Sequence, residues 1–423
     1  MTAPLSYTVR ICGVRAGTLR RDGNRIRFRL EDAYRRDPRR PVLGLRFEDR
    51  REDPPGPFPR LPCWFGNLLP EGRLREQICR VHGVSAERET ELLSRLGRDL
   101  PGAVTVEQES DEPGASAPGR PGPDHAVGWG FSLAGVGLKF SMLRRSDRLT
   151  LPGADELGDW IVKLPDAVHP RVPANELAMM RLAGRIGIRV PETRLVHREQ
   201  LPELPAIAWP SGEEHAYAIR RFDRTADGGR VHMEDFAQVR GFAPERKYEG
   251  SFDTIGALVS RGQPGNLEDL REFARRLAFN ILVGNGDAHL KNWSLLYPDG
   301  RLPRLAPAYD LVSTAPYMPA GDPEDMGLKL RGSRRFEQVS RRDFDRLAEK
   351  LGASGAALGD VVAETVARFR EVWDPWSPEL SELPEAAEWI DRRLPHIARA
   401  LLRTLRGTTE RRSCKSAQSA PRP

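Results

Sequence analysis

The chain has 423 residues, 39% of them hydrophobic and 30% charged, with a formal net charge of +6. These are ordinary values for a soluble globular protein of two or three domains with ample core. There is no run of about 18 apolar residues and no basic-then-apolar leader after Met1, so a cytoplasmic protein without membrane contact is expected.

Cys12, Cys63, Cys79 and Cys414 are scattered, without CxxC spacing or nearby paired histidines. That pattern suggests neither a zinc site nor a disulfide framework. The mild positive charge permits contact with nucleic acid or an acidic partner without arguing for either.

In chain order, residues 1–107 read as a β-rich unit followed by helices. Tyr7–Cys12 and Arg25–Leu30 alternate as short strands. Pro70 suits the first turn of a helix over Arg73–Val81. Leu92–Val106 gives a helix end, a Gly/Pro turn and a strand. Nothing in this unit looks catalytic, and a scaffold or docking role is the default. Residues 108–127 are rich in Pro, Gly, Ser and Asp and read as a linker.

From Trp129 to Met142 the pattern is strand, glycine turn, strand. Gly135 and Gly137 would let successive N–H groups approach phosphate oxygens, although such a hairpin often binds nothing. Asp159–Leu164 is a strand with Lys163 near its end, placed to meet an anion or to snorkel to solvent. In the next helix Met179, Leu182, Ala183 and Ile186 share one face and Gly187 suits the C-cap. Glu176 could pair with the strand lysine, or simply be a first-turn acid favoured by the helix dipole. Strands at Thr193–His197 and Ala206–Trp209 lead to His215–Arg224, which alternates like a strand feeding a hinge between lobes.

From about residue 225 the pattern turns helical. Asn266 is a suitable N-cap with Asp269 at the reciprocal position, and Leu270, Phe273, Ala274, Leu277 and Ile281 form an apolar stripe. Further helices are expected at Ser340–Leu351, Ala357–Val372 and Pro384–Leu405, before an Arg/Ser/Pro-rich tail over 406–423 expected to be disordered. The stripe runs into Asn280–Tyr297, where a helical stretch stops at Gly284 and a polar turn carries Asp287, His289, Lys291 and Asn292. A plain helix cap and polar loop would explain such a turn. An Asp and an Asn five positions apart also match the catalytic loop of protein-kinase-like phosphotransferases. There the Asp accepts the proton of the attacking hydroxyl and the Asn helps hold Mg²⁺. Asp310, in a second turn, could complete the metal site.

The order of these parts decides between the readings. A glycine-turn hairpin, a strand lysine, a helix with an early Glu and a hinge-like strand precede a helical half carrying Asp-x₄-Asn and a later Asp. That is the order of a two-lobed kinase. The chain resembles the HipA-type serine/threonine kinases, toxins of bacterial type II toxin–antitoxin modules. The resemblance is carried by FGNLLPEG at 65–72, RLGRDLPGAV at 95–104, SLAGVGLKF at 132–140, WIVKLP at 160–165 and NELAMMRLA at 175–183. It continues through RRFDR at 220–224, KYEGSF at 247–252, NGDAHLKNWSL at 285–295 and APAYDLVST at 306–314.

The resemblance implies an α+β, two-lobed protein-kinase-like fold. An N-terminal β-rich subdomain would be followed by an N-lobe over 128–224 and a mostly helical C-lobe over 225–405. ATP and Mg²⁺ would be the cofactors. Asp287 would be the catalytic base, Asn292 and Asp310 would bind Mg²⁺, and Lys163 would hold the α/β-phosphates. The loop Ala134, Gly135, Val136, Gly137, Leu138 and Lys139 would cover the nucleotide. Backbone at Arg220, Arg221 and Phe222 would meet the adenine, with His289, Tyr309 and Asp310 close to the nucleotide. Ser132 occupies the position of a regulatory autophosphorylation site, where added charge should expel the loop from its closed position.

Partners implied by the family are a helix-turn-helix antitoxin of HipB type and a protein substrate, with an aminoacyl-tRNA synthetase as precedent. Operator DNA would be contacted through the antitoxin. Gly137 stands where many relatives have Gln, and Arg220 where many have Glu. A non-catalytic nucleotide-binding corepressor and a small-molecule phosphotransferase on the same fold are the alternatives.

Overall fold

The computed structural model describes residues 4–49, 58–109, 138–153, 156–204, 209, 212–262, 267–318 and 325–403. The expected glycine loop from Ser132 to Gly137, most of the linker, the strand residues 206–208, Asn266 and the C-terminal tail lie outside them.

The N-terminal unit is a four-stranded antiparallel sheet in the order β3-β2-β1-β4, made of β1 (Leu5–Ile11), β2 (Val14–Asp22), β3 (Arg25–Leu30) and β4 (Val104–Gln108). In β3 each Arg is exposed while Ile26, Phe28 and Leu30 are buried, the period-2 alternation of a strand with one covered face. Helices α1 (Asp32–Arg36), α2 (Leu45–Asp49), α3 (Cys63–Gly66), α4 (Gly72–His82) and α5 (Glu89–Leu96) cover that face. Pro70 is not in the first turn of α4. The chain stays extended through Glu71, the N-cap (φ −118°, ψ 164°), and the helix starts only at Gly72.

A second antiparallel sheet, in the order β6-β5-β7-β9-β8, forms the upper lobe. Its strands are β5 (Lys139–Arg145), β6 (Arg148–Thr150), β7 (Trp160–Lys163), β8 (Thr193–His197) and β9 (His215–Arg220). Both faces are covered, which explains the small–large alternation of β9. Ala216 and Ala218 face the core of the N-terminal unit with Trp160 and Val162 of β7, while Tyr217 and Ile219 face α6 (Val172–Arg185). One hydrophobic cluster thus runs from Tyr7 to Ala218, so the N-terminal unit and this sheet share a core.

The lower lobe is not purely helical. Before and between its helices it carries β10 (His232–Asp235), β11 (Ser294–Tyr297) and β12 (Arg304–Leu305) in one sheet, and the ribbon β13 (Asp325–Leu330) with β14 (Ser333–Arg335). Of these strands only β11 shows in the sequence, as the apolar, strand-like run Trp293–Tyr297; periodicity misses the others because they are 2–6 residues long and lie between turns. The helices are α7 (Phe236–Arg240), α8 (Phe252–Gly262), α9 (Leu267–Leu282), α10 (Arg341–Lys350), α11 (Leu358–Trp376) and α12 (Pro384–Leu402). The α9 stripe Leu270, Phe273, Ala274, Leu277 and Ile281 is fully buried. Asp269 turns its carboxylate to Arg304 and to the Leu305 N–H. No helix among the described residues is long and apolar enough to cross a membrane.

Candidate active site

The site lies between the upper sheet and the turn that follows α9. Strand β7 alternates, so Val162 points into the N-terminal core and Lys163 points the other way, beside Ile161, toward α6. There its ammonium donates to Glu176 Oε1 at 2.6 Å and to Asp310 Oδ1. Tyr217 contributes a ring face 5.6 Å from the same nitrogen. Glu176 is the fifth residue of α6 and only 2% exposed, so it is the partner of Lys163 and not a solvated first-turn acid. Its neighbour Asn175 holds the helix to the Asp310 segment. Asn175 Nδ2 donates to the Ser313 carbonyl at 2.8 Å and Oδ1 accepts from the Ser313 N–H at 3.0 Å.

Lys139 stands directly opposite Lys163 on β5. Like charges so placed repel unless an anion lies between them. Burial pushes the Lys139 ammonium down to about 8, with Lys163 adding to the effect and Asp310 opposing it. Burial also opposes charge on Lys163, but the Asp310 and Glu176 carboxylates outweigh it and raise its pKa. Burial works against the Asp310 carboxylate, and Lys163 with Lys139 holds it well below the usual carboxylate range. The cleft wall is therefore two amines and an ionised acid. Asp310 adopts φ +54°, a left-handed conformation that Asp tolerates better than most residues.

The facing turn is built from the end of α9. Gly284, at φ +66°, reverses the chain, and the Asn285 N–H reaches back to the Asn280 carbonyl at 2.8 Å. A Cβ at Gly284 would lie 2.6 Å from the Trp389 ring. Asn285 Oδ1 accepts from the Asp287 N–H at 3.0 Å, and Thr314 Oγ1 accepts from the Gly286 N–H at 2.9 Å while donating to the Gly284 carbonyl. Asn292 Nδ2 donates to the Asp287 carbonyl at 2.9 Å. With its amide nitrogen spent on the turn, the Asn292 side-chain oxygen remains an acceptor. Together with the Asp310 carboxylate it is an all-oxygen donor pair of the kind Mg²⁺ takes when phosphates fill the remaining positions.

The Asp287 side chain is 48% exposed, whereas that of His289 beside it is 7% exposed with Nε2 3.9 Å from Asp287 Oδ1. Burial lowers the His289 pKa, which keeps the ring neutral. Its Nδ1 is buried without a hydrogen-bond partner.

Two neighbours of this turn carried no chemical signal in the sequence. Tyr248, in KYEGSF, donates its hydroxyl to Asp287 Oδ1 and lies edge-on to His289 at 5.0 Å. The Leu290 N–H donates to the Lys247 carbonyl at 3.1 Å, and Gly250 packs so closely on Leu290 that a Cβ would meet it at 2.8 Å. Glu71, from FGNLLPEG, forms an ion pair with Lys291. Only the proximity of both strings in space reveals these roles.

The remaining expected site residues divide between the cleft and the back of the sheet. The N–H groups of Arg220 and Arg221 already donate to the Glu192 and Asp159 carbonyls, at 2.9 and 2.8 Å. The Arg221 side chain is buried behind the sheet, bonded to Asp223, Asp99 and Ser141. Arg220 is exposed and 3.9 Å from Glu192. Phe222 stays beside the cleft, its ring 5.7 Å from that of Tyr309. The Tyr309 hydroxyl points under the Asp287–Asn292 turn, donating to the Lys291 carbonyl at 2.9 Å. Leu138 packs against the N-terminal core and accepts from the Leu164 N–H at 2.9 Å. Ser132, Ala134, Gly135, Val136 and Gly137 fall outside the described residues.

Two lobes, a lysine–glutamate pair and an Asp-x₄-Asn turn opposite a second Asp define the chain as a protein of kinase-like α+β fold. Residues 7–107 match the HipA N-terminal domain and residues 131–373 match the HipA-like C-terminal domain. The chain belongs to the HipA family. It is 41% identical over 414 residues to Y4dM of Sinorhizobium fredii, which carries a kinase name, covering 92% of this chain and 96% of that protein. It is 26% identical over 312 residues to the serine/threonine-protein kinase toxin HipA of Shewanella oneidensis, covering 63% of this chain and 66% of the toxin. Among solved structures it resembles the Shewanella oneidensis HipA–HipB–operator DNA complex, with a TM-score of 0.68 and 19% identity over 93% of this chain and 96% of that one.

Proposed function

We propose that the protein transfers the γ-phosphoryl group of ATP to a serine or threonine hydroxyl of a protein, as the toxin of a toxin–antitoxin module. The observation that carries this reading is the convergence of Lys163, Glu176 and Asp310 on one wall with the Asp287–Asn292 turn on the other. Lys163 and Lys139 would bind the anionic phosphates, and Glu176 fixes the direction of Lys163. Asn292 and Asp310 would hold Mg²⁺, which when bound neutralises charge on the β- and γ-phosphates. The acceptor oxygen attacks the γ-phosphorus, its proton passes to the Asp287 carboxylate, and the bond to the β–γ bridging oxygen breaks to release ADP.

The family precedent makes an aminoacyl-tRNA synthetase the first substrate to test. The Shewanella oneidensis relative solved with HipB and operator DNA supports an antitoxin of that kind as partner, with DNA reached through it. Ser132 would be the autophosphorylated serine.

The test is phosphate incorporation from labelled ATP and Mg²⁺, with phosphosites read by mass spectrometry. Wild type should label itself at Ser132 and label a synthetase substrate, and Asp287→Asn should do neither while remaining folded. An Asp287→Asn variant as active as wild type would refute the assignment, and an inactive wild type that still binds nucleotide would favour the corepressor reading.

A further inference from the structure

Glu71 belongs to the N-terminal unit, yet its carboxylate lies beneath the catalytic turn some 200 residues later in the chain. Oε1 pairs with Lys291 Nζ, and Oε2 is 3.6 Å from Lys247 Nζ. The side chains are 18% exposed for Glu71, 7% for Lys291 and 15% for Lys247, so water screens these pairs weakly. Lys291 immediately precedes Asn292. Lys247 accepts the Leu290 N–H on its carbonyl and immediately precedes Tyr248, which bonds Asp287. One carboxylate therefore grips both the turn that carries Asn292 and the strap that touches Asp287. Lys291 Nζ also approaches the Asn67 carbonyl at 3.4 Å, so its ammonium is turned toward the N-terminal unit.

Resting on the kinase reading above, we propose that Glu71 is a positioning residue for phosphoryl transfer. It fixes Lys291 away from the nucleotide cleft and thereby sets the geometry of Asn292 and Asp287. The extended backbone at Glu71, which delays the start of α4 until Gly72, lets its side chain reach the turn. Burial disfavours its charge, but Lys291 and Lys247 outweigh that and lower its pKa, so the carboxylate stays ionised at neutral pH. Without it, two ammonium groups share a partly buried site and repel, and the turn loses its anchor.

The experiment compares full-length wild type, Glu71→Gln, Glu71→Gln/Lys291→Met and Asp287→Asn. Autophosphorylation kinetics with MgATP, thermal unfolding and hydrogen exchange of the Ala288–Asn292 amides are measured for each. Glu71→Gln should lower kcat by about 10- to 100-fold, the range a misplacement of about 1 Å can cause, with KM for ATP changing less than about 2-fold. The double variant, with both charges removed, should recover most of that loss, and exchange of the turn should quicken in Glu71→Gln alone. A wild-type kcat in Glu71→Gln with unchanged exchange would overturn the proposal. So would a loss that tracks Tm and is not recovered in the double variant. Should wild type show no more phosphate transfer than Asp287→Asn, the kinase reading fails, and the exchange comparison still decides whether Glu71 anchors the turn.

Discussion

The Tyr248 hydroxyl donates a hydrogen bond to Oδ1 of Asp287, the carboxylate that would receive the proton of an attacking hydroxyl. Tyr248 is 37% exposed and comes from a different element, so it sits where an acceptor hydroxyl would have to approach. The Asp287 carboxylate and burial together raise the phenol pKa, which keeps Tyr248 a donor. Tyr248→Phe removes that competitor and keeps the ring against His289. Phosphate transfer at sub-saturating acceptor should rise by about tenfold, near the lower limit of what a hydrogen bond to a charged group is worth. The gain should vanish at saturating acceptor, and KM for ATP should not move. Initial rates across acceptor concentrations measure both.

The Lys163–Glu176 pair carries the next prediction. Glu176 is 2% exposed and accepts from Lys163, so removing it leaves a partly buried ammonium with Asp310 as its neighbour. Glu176→Ala should destabilise the fold by about 3 kcal/mol, the range for breaking a buried pair. Nucleotide binding should weaken as Lys163 is drawn to Asp310. Urea denaturation and calorimetric titration with an ATP analogue test the two effects separately.

The sequence was informative wherever chemistry and local periodicity coincide. Lys163, Glu176, Asp310, Asp287 and Asn292 lie in strings whose spacing already orders a kinase, and the structure brings them to one cleft. The strand β9 alternation was visible, but its cause was not, because Ala216 and Ala218 are small only in relation to the N-terminal core they face. Contacts between distant segments left no trace. Glu71 looks like an ordinary acid after a proline, and Tyr248 an ordinary aromatic, until the turn is seen between them. Arg221 hid a second role. Its place in a hinge-like string drew attention to its backbone, whereas its buried side chain is committed to Asp99, Asp223 and Ser141.

That commitment is itself testable. Arg221 and Arg224 enclose Asp223 and Asp99, and the Gly102 N–H donates to Asp223 Oδ2 at 2.8 Å. The strings RRFDR and RLGRDLPGAV are thus each other's binding partners, joining the N-terminal unit to the upper lobe. Asp223→Ala leaves two buried guanidinium groups with Asp99 as their one shared carboxylate and should cost about 3 kcal/mol, read by chemical denaturation. Burial opposes charge on Asp223, but the two arginines prevail and depress its pKa far below the ordinary value. The sign follows from that depression. The contribution is complete above the unfolded carboxylate pKa of about 3.9 and is lost only as pH falls below it toward the folded value. Wild-type stability should therefore hold its Asp223 share from neutral pH to about pH 4, and the difference between wild type and Asp223→Asn should shrink below that.

Lys139 predicts a pH dependence of binding at the opposite end of the scale. Burial brings its ammonium down to about 8, so the free protein loses that proton as pH passes through this value. A bound phosphate favours the charged form and raises the pKa again. Below about pH 8 the amine is already protonated and binding takes up no proton. Above it each binding event must take one up, so affinity should fall by about tenfold per pH unit until the pKa of the complex is reached. Titration calorimetry with a non-hydrolysable ATP analogue and Mg²⁺, repeated in buffers of different ionisation enthalpy, measures both the affinity and the proton uptake. Lys139→Met should bind more weakly at pH 7 and show neither the uptake nor the slope. A wild-type affinity that stays flat from pH 7 to 9.5 would mean that nucleotide binding is not linked to a Lys139 proton lost near pH 8.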